Sequence, residues 1–270
     1  MKLTVLADNN TFIDRYYCGE PALCFYLEDE DTLILFDTGY SDVFIKNAEK
    51  MEIDLSAPMH VVLSHGHNDH TGGLVFLQER GALFNKHIIA HPDVFISREE
   101  DGHSISSPLD EMAVREECAV SFSRVPYRIG SRFLFLGEIP ELVSFEKRES
   151  IGCVNTSGNQ VADLVADDSA LVYQDEEGLF IITGCSHSGI CNIIEYAKQV
   201  CQEERILGVI GGFHLFDNSE RLQQTIVYFK ENAIGRIYPS HCVSLAAKAE
   251  MFKSLPVYEV GVGLTINAIS

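Results

Sequence analysis

Two β-sheets packed face to face with helices on their outer faces, an α/β sandwich with the layer order αββα, is the fold this sequence predicts. Three observations carry that reading. Short apolar runs closed by polar or glycine-rich turns alternate with stretches of helical spacing. The alternation occurs twice, before residue 92 and again after residue 165. The two passages also match in detail: Thr32-Leu-Ile-Leu-Phe-Asp37-Thr-Gly39 and Leu179-Phe-Ile-Ile-Thr-Gly184-Cys185 are each an apolar run that ends in small residues ahead of a helix. Each half then supplies one sheet, with one face for its partner sheet and one for helices.

In chain order, the apolar runs Lys2–Ala7, Ala22–Leu27 and Thr32–Phe36 read as strands. Ser41–Lys50 has helical spacing and a Ser-Asp start suited to capping. His60–Ser64 is almost wholly apolar, as a strand buried on both faces should be. A helix over about Gly73–Arg80 leads to a strand at His87–His91. In the second half Ala170–Gln174 and Leu179–Thr183 flank the turn Asp175-Glu176-Glu177-Gly178. A helix at about Ile190–Glu203 leads to Ile206–Ile210, and one at about Glu220–Glu231 to Arg236–Pro239. A helix over about Ser244–Lys253 and a last strand over about Val257–Ile266 complete the chain. Residues 92–165 follow neither rhythm. They hold the charged stretch Arg98-Glu-Glu-Asp, strands at Ala119–Ser123 and Phe133–Leu136, and a polar region from Glu146 to Gln160. The expectation is an α+β insertion or lid, 92–165, within a single domain spanning 1–270.

Composition narrows the function. Hydrophobic residues make up 46% of the 270, enough for a sizeable core. The net charge of −20 and isoelectric point near 4.8 argue against nucleic acid as a partner and against attraction to an anionic membrane surface. No run approaches the roughly 18 apolar residues of a spanning helix, and Asp8 interrupts the apolar start too early for a signal peptide. The eight cysteines are scattered without a CxxC pair and read as reduced thiols. A cytoplasmic protein acting on a small-molecule substrate is expected, with an oligomer left open.

The chemistry concentrates in Leu63-Ser64-His65-Gly66-His67-Asn68-Asp69-His70-Thr71-Gly72-Gly73. Three imidazoles and a carboxylate follow a buried strand directly. His and Asp suit Zn²⁺, with Fe or Mn as alternatives. His65 and His67 alternate so as to clasp one ion, while Asp69 and His70 come around the turn towards a second. The glycines let the backbone fold tightly behind them.

This His-x-His-x-Asp-His motif, behind an apolar strand and ahead of Thr-Gly-Gly, resembles the signature of the metallo-β-lactamase superfamily. Asp37 in Leu-Phe-Asp-Thr-Gly matches the family's earlier aspartate, which orients the metal-binding loop. A finer resemblance rests on Asp8-Asn9-Asn10, Ser64–Gly73, Gly137-Glu138-Ile139-Pro140, Asp167-Asp168, Thr183-Gly-Cys-Ser-His-Ser-Gly189, Gly211-Gly-Phe-His-Leu215 and Pro239-Ser-His-Cys242. That set is similar to superfamily II metal-dependent hydrolases, a subfamily that includes archaeal dihydropterin ribofuranosyl-aminobenzene phosphate synthases. The resemblance implies further ligands at His187 and at a late histidine. His241, in Tyr-Pro-Ser-His-Cys, fits the family context better than His214, which then contacts substrate or moves a proton. The chain departs from the pattern at Cys185, where the family carries a bridging Asp; the reading is a packed thiol beside the ligands, with thiolate ligation as the alternative.

The function so implied is a metal-dependent hydrolase using one or two ions and a metal-held water on a phosphoester or pyrophosphate-type small molecule. Asp69 is both ligand and orienting group for the nucleophile. The alternatives are a synthase-like transferase, as the archaeal relatives suggest, and a non-catalytic metal-binding or sensing module.

Overall fold

Leu3 and Val5 face one side of their strand and Leu6 the other, and all three are fully buried. A strand covered on both faces needs a layer on each side. The computed structural model describes residues 1–30, 32–57, 59–156 and 159–267 and supplies those layers. Its elements run β1 (Lys2–Ala7), β2 (Cys24–Asp29), β3 (Thr32–Phe36), α1 (Val43–Lys50), β4 (His60–Val62), α2 (Asn68–Thr71), α3 (Leu74–Glu79) and β5 (His87–Ala90). There follow β6 (Arg98–Glu100), β7 (His103–Ser104), α4 (Glu111–Glu117), β8 (Ala119–Phe122), β9 (Tyr127–Ile129), β10 (Phe133–Phe135), β11 (Cys153–Thr156) and β12 (Asn159–Ala162). The rest are β13 (Ala170–Asp175), β14 (Gly178–Thr183), α5 (Ile190–Cys201), β15 (Ile206–Gly211), α6 (Glu220–Glu231), β16 (Ile237–Pro239), α7 (Leu245–Phe252) and β17 (Thr265–Asn267).

Seven strands form one sheet in the order β17-β1-β2-β3-β4-β5-β8, and six form the other, β16-β15-β14-β13-β10-β9. Period-two side chains sort the core into layers. Ile34 and Phe36 of β3, Phe133 and Phe135 of β10, and Phe180 and Ile182 of β14 meet between the sheets. Leu35 turns outward onto Phe44 and Ala48 of α1, with Leu74 and Leu77 of α3 in the same layer. Leu179 and Ile181 turn outward onto α5, α6 and α7 through Ile193, Phe229 and Met251. The αββα sandwich follows directly. The two sheets also share a plan: antiparallel β2–β3 then parallel β4 and β5 in one, antiparallel β13–β14 then parallel β15 and β16 in the other.

Helix starts are built as their sequences suggest. Ser219 and Ser244 accept the Leu222 and Ala247 amides, each cap contributing roughly 1 kcal/mol. At α1 the arrangement differs from expectation: Asp42 occupies the cap position without a side-chain bond, while Ser41 Oγ accepts the Val43 amide and donates to Glu20.

Two other stretches are arranged differently from the sequence reading. The expected last strand Val257–Ile266 is irregular over most of its length. Val257 bridges Ile237 of the second sheet, the Val262 amide bonds Asn10, and Thr265 pairs with Thr4 of the first sheet. A segment whose partners change from one sheet to the other cannot keep one extended register, and Gly263 turns it at φ +87°. Residues 92–165 are shared among three sheets: β8 extends the first, β9 and β10 extend the second, and β6, β7, β11 and β12 make a separate four-stranded sheet. Ser157 and Gly158, in the polar stretch Glu146–Gln160, lie outside the described residues. All eight cysteines are free thiols, four of them buried.

The small sheet is pinned by Arg98. It belongs to the charged stretch Arg98-Glu-Glu-Asp, yet it is 1% exposed. Its Nε donates to Asp163 at 2.8 Å and its Nη2 to Asp167 at 2.6 Å. Burial, followed by the field of Asp163, pushes Asp167 up to about 6 although Arg98 and the Gly66 amide oppose it. Replacing Arg98 with Met strands two buried carboxylates without their counter-charge. Urea unfolding is expected to show a loss of about 3–5 kcal/mol; a loss below about 1 kcal/mol, the range of an exposed pair, would mean other contacts hold this sheet.

Candidate metal centre

The loops that carry the predicted site residues leave the C-terminal ends of corresponding strands in the two sheets. Asp37 follows β3, His65–His70 follow β4, Cys185 and His187 follow β14, His214 follows β15, and His241 follows β16. Four of these loop residues, Asp37, Ser186, His214 and His241, adopt left-handed backbone with φ of 56°, 58°, 51° and 48°. Such conformations are costly for residues other than glycine and persist only where surrounding bonds hold them.

Those bonds come from buried carboxylates. Asp37 Oδ1 accepts the Ser64 amide at 2.7 Å, and its Oδ2 accepts Ser64 Oγ at 2.7 Å while lying 2.7 Å from His70 Nδ1. Asp167 accepts the Gly66 amide at 2.8 Å and Asp168 the Ser188 amide at 2.9 Å. Asp8 accepts the His241 amide at 2.9 Å, and Asn9 Oδ1 lies 3.2 Å from His241 Nδ1. Of these anchors, Asp8, Asn9, Asp167 and Asp168 enter the sequence reading only through the finer family resemblance, without an assigned role. Close approach also requires glycine at two points. A Cβ on Gly66 would run into the Val94 carbonyl and Arg98, and one on Gly184 into Ser64 Oγ.

So held, the side chains converge. His65 Nε2 lies 3.1 Å from His67 Nδ1, and the His187 ring centroid is 4.9 Å from that of His65 and 5.0 Å from that of His67. Asp69 Oδ2 is 3.0 Å from His241 Nε2 and 3.7 Å from His70 Nε2. Among the described residues, three overlapping groups have donor atoms within 4.8 Å of one another: His65, His67 and Asp69; His65, Cys185 and His187; Asp69, His70, Cys185 and His241. His214 belongs to none of them. It stands beside the centre, 4.6 Å from the His187 ring and 4.7 Å from that of Phe216.

Electrostatics favour the protonation states that ligands need. Burial, then the neighbouring imidazoles, holds His65 and His187 below the ordinary value, and burial takes His67 down to about 4. Burial alone would raise Asp69, but the field of His70 and the His241 hydrogen bond override it and keep the carboxyl below the usual range. Buried nitrogens at His187 Nε2 and His67 Nε2 have no hydrogen-bond partner. An orphaned buried imidazole nitrogen is costly, and together with neutral His and ionised Asp it is what a divalent cation site requires. The residues fit a metal.

A family model described as the metallo-beta-lactamase superfamily matches residues 19–198. The chain belongs to that superfamily. It is 31% identical over 265 residues to the 7,8-dihydropterin-6-methyl-4-(beta-D-ribofuranosyl)-aminobenzene-5'-phosphate synthase of Methanocaldococcus jannaschii, covering 92% of this chain and 89% of that protein. An uncharacterized protein of the same archaeon is 30% identical over 252 residues, covering 92% of this chain and 93% of its own. Among solved structures, a metal-dependent hydrolase of the beta-lactamase superfamily superposes with a TM-score of 0.83 at 30% identity, covering 99% of this chain and 98% of that one. A diphosphatase of the PhnP family, at 13% identity and TM-score 0.56, covers 98% of this chain and 97% of its own and shares the fold. Among the described residues no helix of this superfamily member is long and apolar enough to cross a membrane.

The depressed imidazoles make stability depend on pH. His67 titrates near 4 in the folded chain and near 6.5 unfolded, so between those values the unfolded chain binds more protons. Stability is therefore present above about pH 6.5 and falls as pH drops towards 4, by about 3 kcal/mol from His67 alone. Urea unfolding of the metal-free protein at pH 7 and pH 4.5 should show this, with a shallower dependence in His67→Gln; an equal dependence in both proteins would refute the assignment.

Proposed function

We propose that the protein is a divalent-metal-dependent hydrolase acting on a phosphoester or pyrophosphate-type small molecule. The observation that carries this reading is the convergence of His65, His67, Asp69, His70, His187 and His241 at the strand ends, with His187 Nε2 left without a partner. Zn²⁺, as one or two ions, suits this donor set, and Fe or Mn are the alternatives. When bound, such an ion lowers the pKa of water and polarises a phosphoryl oxygen.

The chain's own residues do the rest. The Asp69 carboxylate, beside His241 Nε2 and His70 Nε2, would orient the nucleophile. His214 is held below its ordinary pKa by burial and then by Arg221, so it offers a neutral imidazole that can accept or return a proton. Arg221, in the first turn of α6, acts on His214 through its charge and is the cation assigned here to an anionic group of the substrate. A cavity of about 290 Å³ opens above His67 and Asp69, walled by Pro21, Tyr40, Ile105 and Ile151, with Glu100 at its edge. Glu100, Ile105 and Ile151 come from residues 92–165. The small sheet thereby acts as a lid over the part of the substrate that does not react.

A second reading has its own support. The relative that is 31% identical over 92% of the chain is named as a synthase, so an aromatic amine in place of water is the rival nucleophile. Product analysis with a dihydropterin pyrophosphate, with and without a 4-aminobenzoyl partner, separates the two: free pterin alcohol in both supports hydrolysis, and a new carbon–nitrogen adduct only with the amine supports the transferase. Chelation should abolish turnover, and Zn²⁺ should restore it. Arg221→Gln is expected to raise KM for an anionic substrate about 10- to 100-fold, the equivalent of a charged hydrogen bond, with metal content unchanged. An unaltered KM would remove Arg221 from substrate binding.

A further inference from the structure

Cys185 stands in two donor clusters at once. Its sulfur lies within 4.8 Å of donor atoms of Asp69, His70 and His241 on one side and of His65 and His187 on the other. The residue is 4% exposed, and His70 Nε2 is 3.2 Å from the sulfur. Independently of the sulfur, His187, which is 7% exposed, has an Nε2 that no protein group satisfies. A free thiol packed only for its volume has no reason to lie between two sets of imidazole and carboxylate donors, because a small apolar residue would fill the same space.

Backbone geometry fixes the sulfur there. Gly184 brings the end of β14 against Ser64, and its carbonyl accepts the Gly212 amide at 2.7 Å, tying the loop after β14 to the loop after β15. Thr183 Oγ1 and Ser186 Oγ lie 2.9 Å apart, and Ser186 Oγ donates to the Gly212 carbonyl at 2.6 Å. Cys185 therefore stands on a restrained backbone, between Gly184 and Ser186.

We infer that Cys185 is a thiolate ligand shared between two metal positions, one within reach of His65 and His187 and the other within reach of Asp69, His70 and His241. This rests on the metal-centre reading above and adds to it a donor that the six oxygen and nitrogen ligands do not supply. On binding, the thiol S–H bond breaks, its proton goes to solvent, and the sulfur electron pair forms the bonds to metal. A soft sulfur donor biases the centre towards zinc, cobalt or iron and away from manganese and magnesium.

Loading the purified full-length protein with Co²⁺ tests this, because thiolate-to-cobalt charge transfer absorbs in the near ultraviolet and imidazole or carboxylate ligation does not. The wild type should show the band at about two equivalents of cobalt. Cys185→Ser should lose the band and about half the bound cobalt. Cys185→Asp, whose carboxylate can still bridge, should keep about two equivalents without the band and retain Mn²⁺ better than wild type. Cobalt bound by the wild type without the band, or a band that survives in Cys185→Ser and so belongs to another cysteine, overturns the assignment while leaving the metal centre intact. No cobalt uptake at all overturns both.

Discussion

The acceptance of backbone amides by buried carboxylates is the constraint on which the rest of this structure depends. Asp37, Asp167, Asp168 and Asp8 each bond an amide in a loop that carries a candidate ligand. Hydrogen bonds to a charged acceptor are about twice as strong as neutral ones, and they are strongest where water is excluded. They also restrain the loops in which Asp37, Ser186 and His241 keep a left-handed backbone, which propensity alone would reject. The β-sandwich supplies the platform, but these carboxylates aim the side chains.

The platform is doubled. Each sheet presents an antiparallel hairpin followed by parallel strands, and each delivers its loops to the same rim. Neither half holds a complete donor set. His65, His67, Asp69 and His70 come from the first sheet, while Cys185, His187 and His241 come from the second. The inter-sheet core of Phe36, Phe135, Phe180 and Ile182 thus does more than bury apolar area, since it sets the distance across which the two sets of donors meet.

Much of this was legible from sequence, for identifiable reasons. The period-two strands and the helices at Glu220–Glu231 and Ser244–Lys253 follow from local pattern. The cluster His65 to His70 follows from residue type and its place after a buried strand. What escaped were features whose partners lie far away in the chain. Asp8 gains its role from His241 and Asp167 from Gly66. Arg98 stood out only as part of a charged stretch because Asp163 and Asp167, which neutralise it, are more than sixty residues distant. The apolar alternation between Val257 and Ile266 suggested one strand, yet no local signal tells that its hydrogen bonds pass from one sheet to the other.

That crossing segment bears on how the protein is made. Asp8 must wait 233 residues for the amide of His241. The strand that closes the first sheet, Thr265–Asn267, emerges later still and pairs with Lys2–Thr4. Domains fold as units during synthesis, but here the nascent first sheet has an open edge and its histidines lack their counterparts until residues 241–267 have been made. The candidate centre can therefore assemble only after residue 241 has been made, and a metal captured earlier by His65 and His67 would be held by only part of its shell.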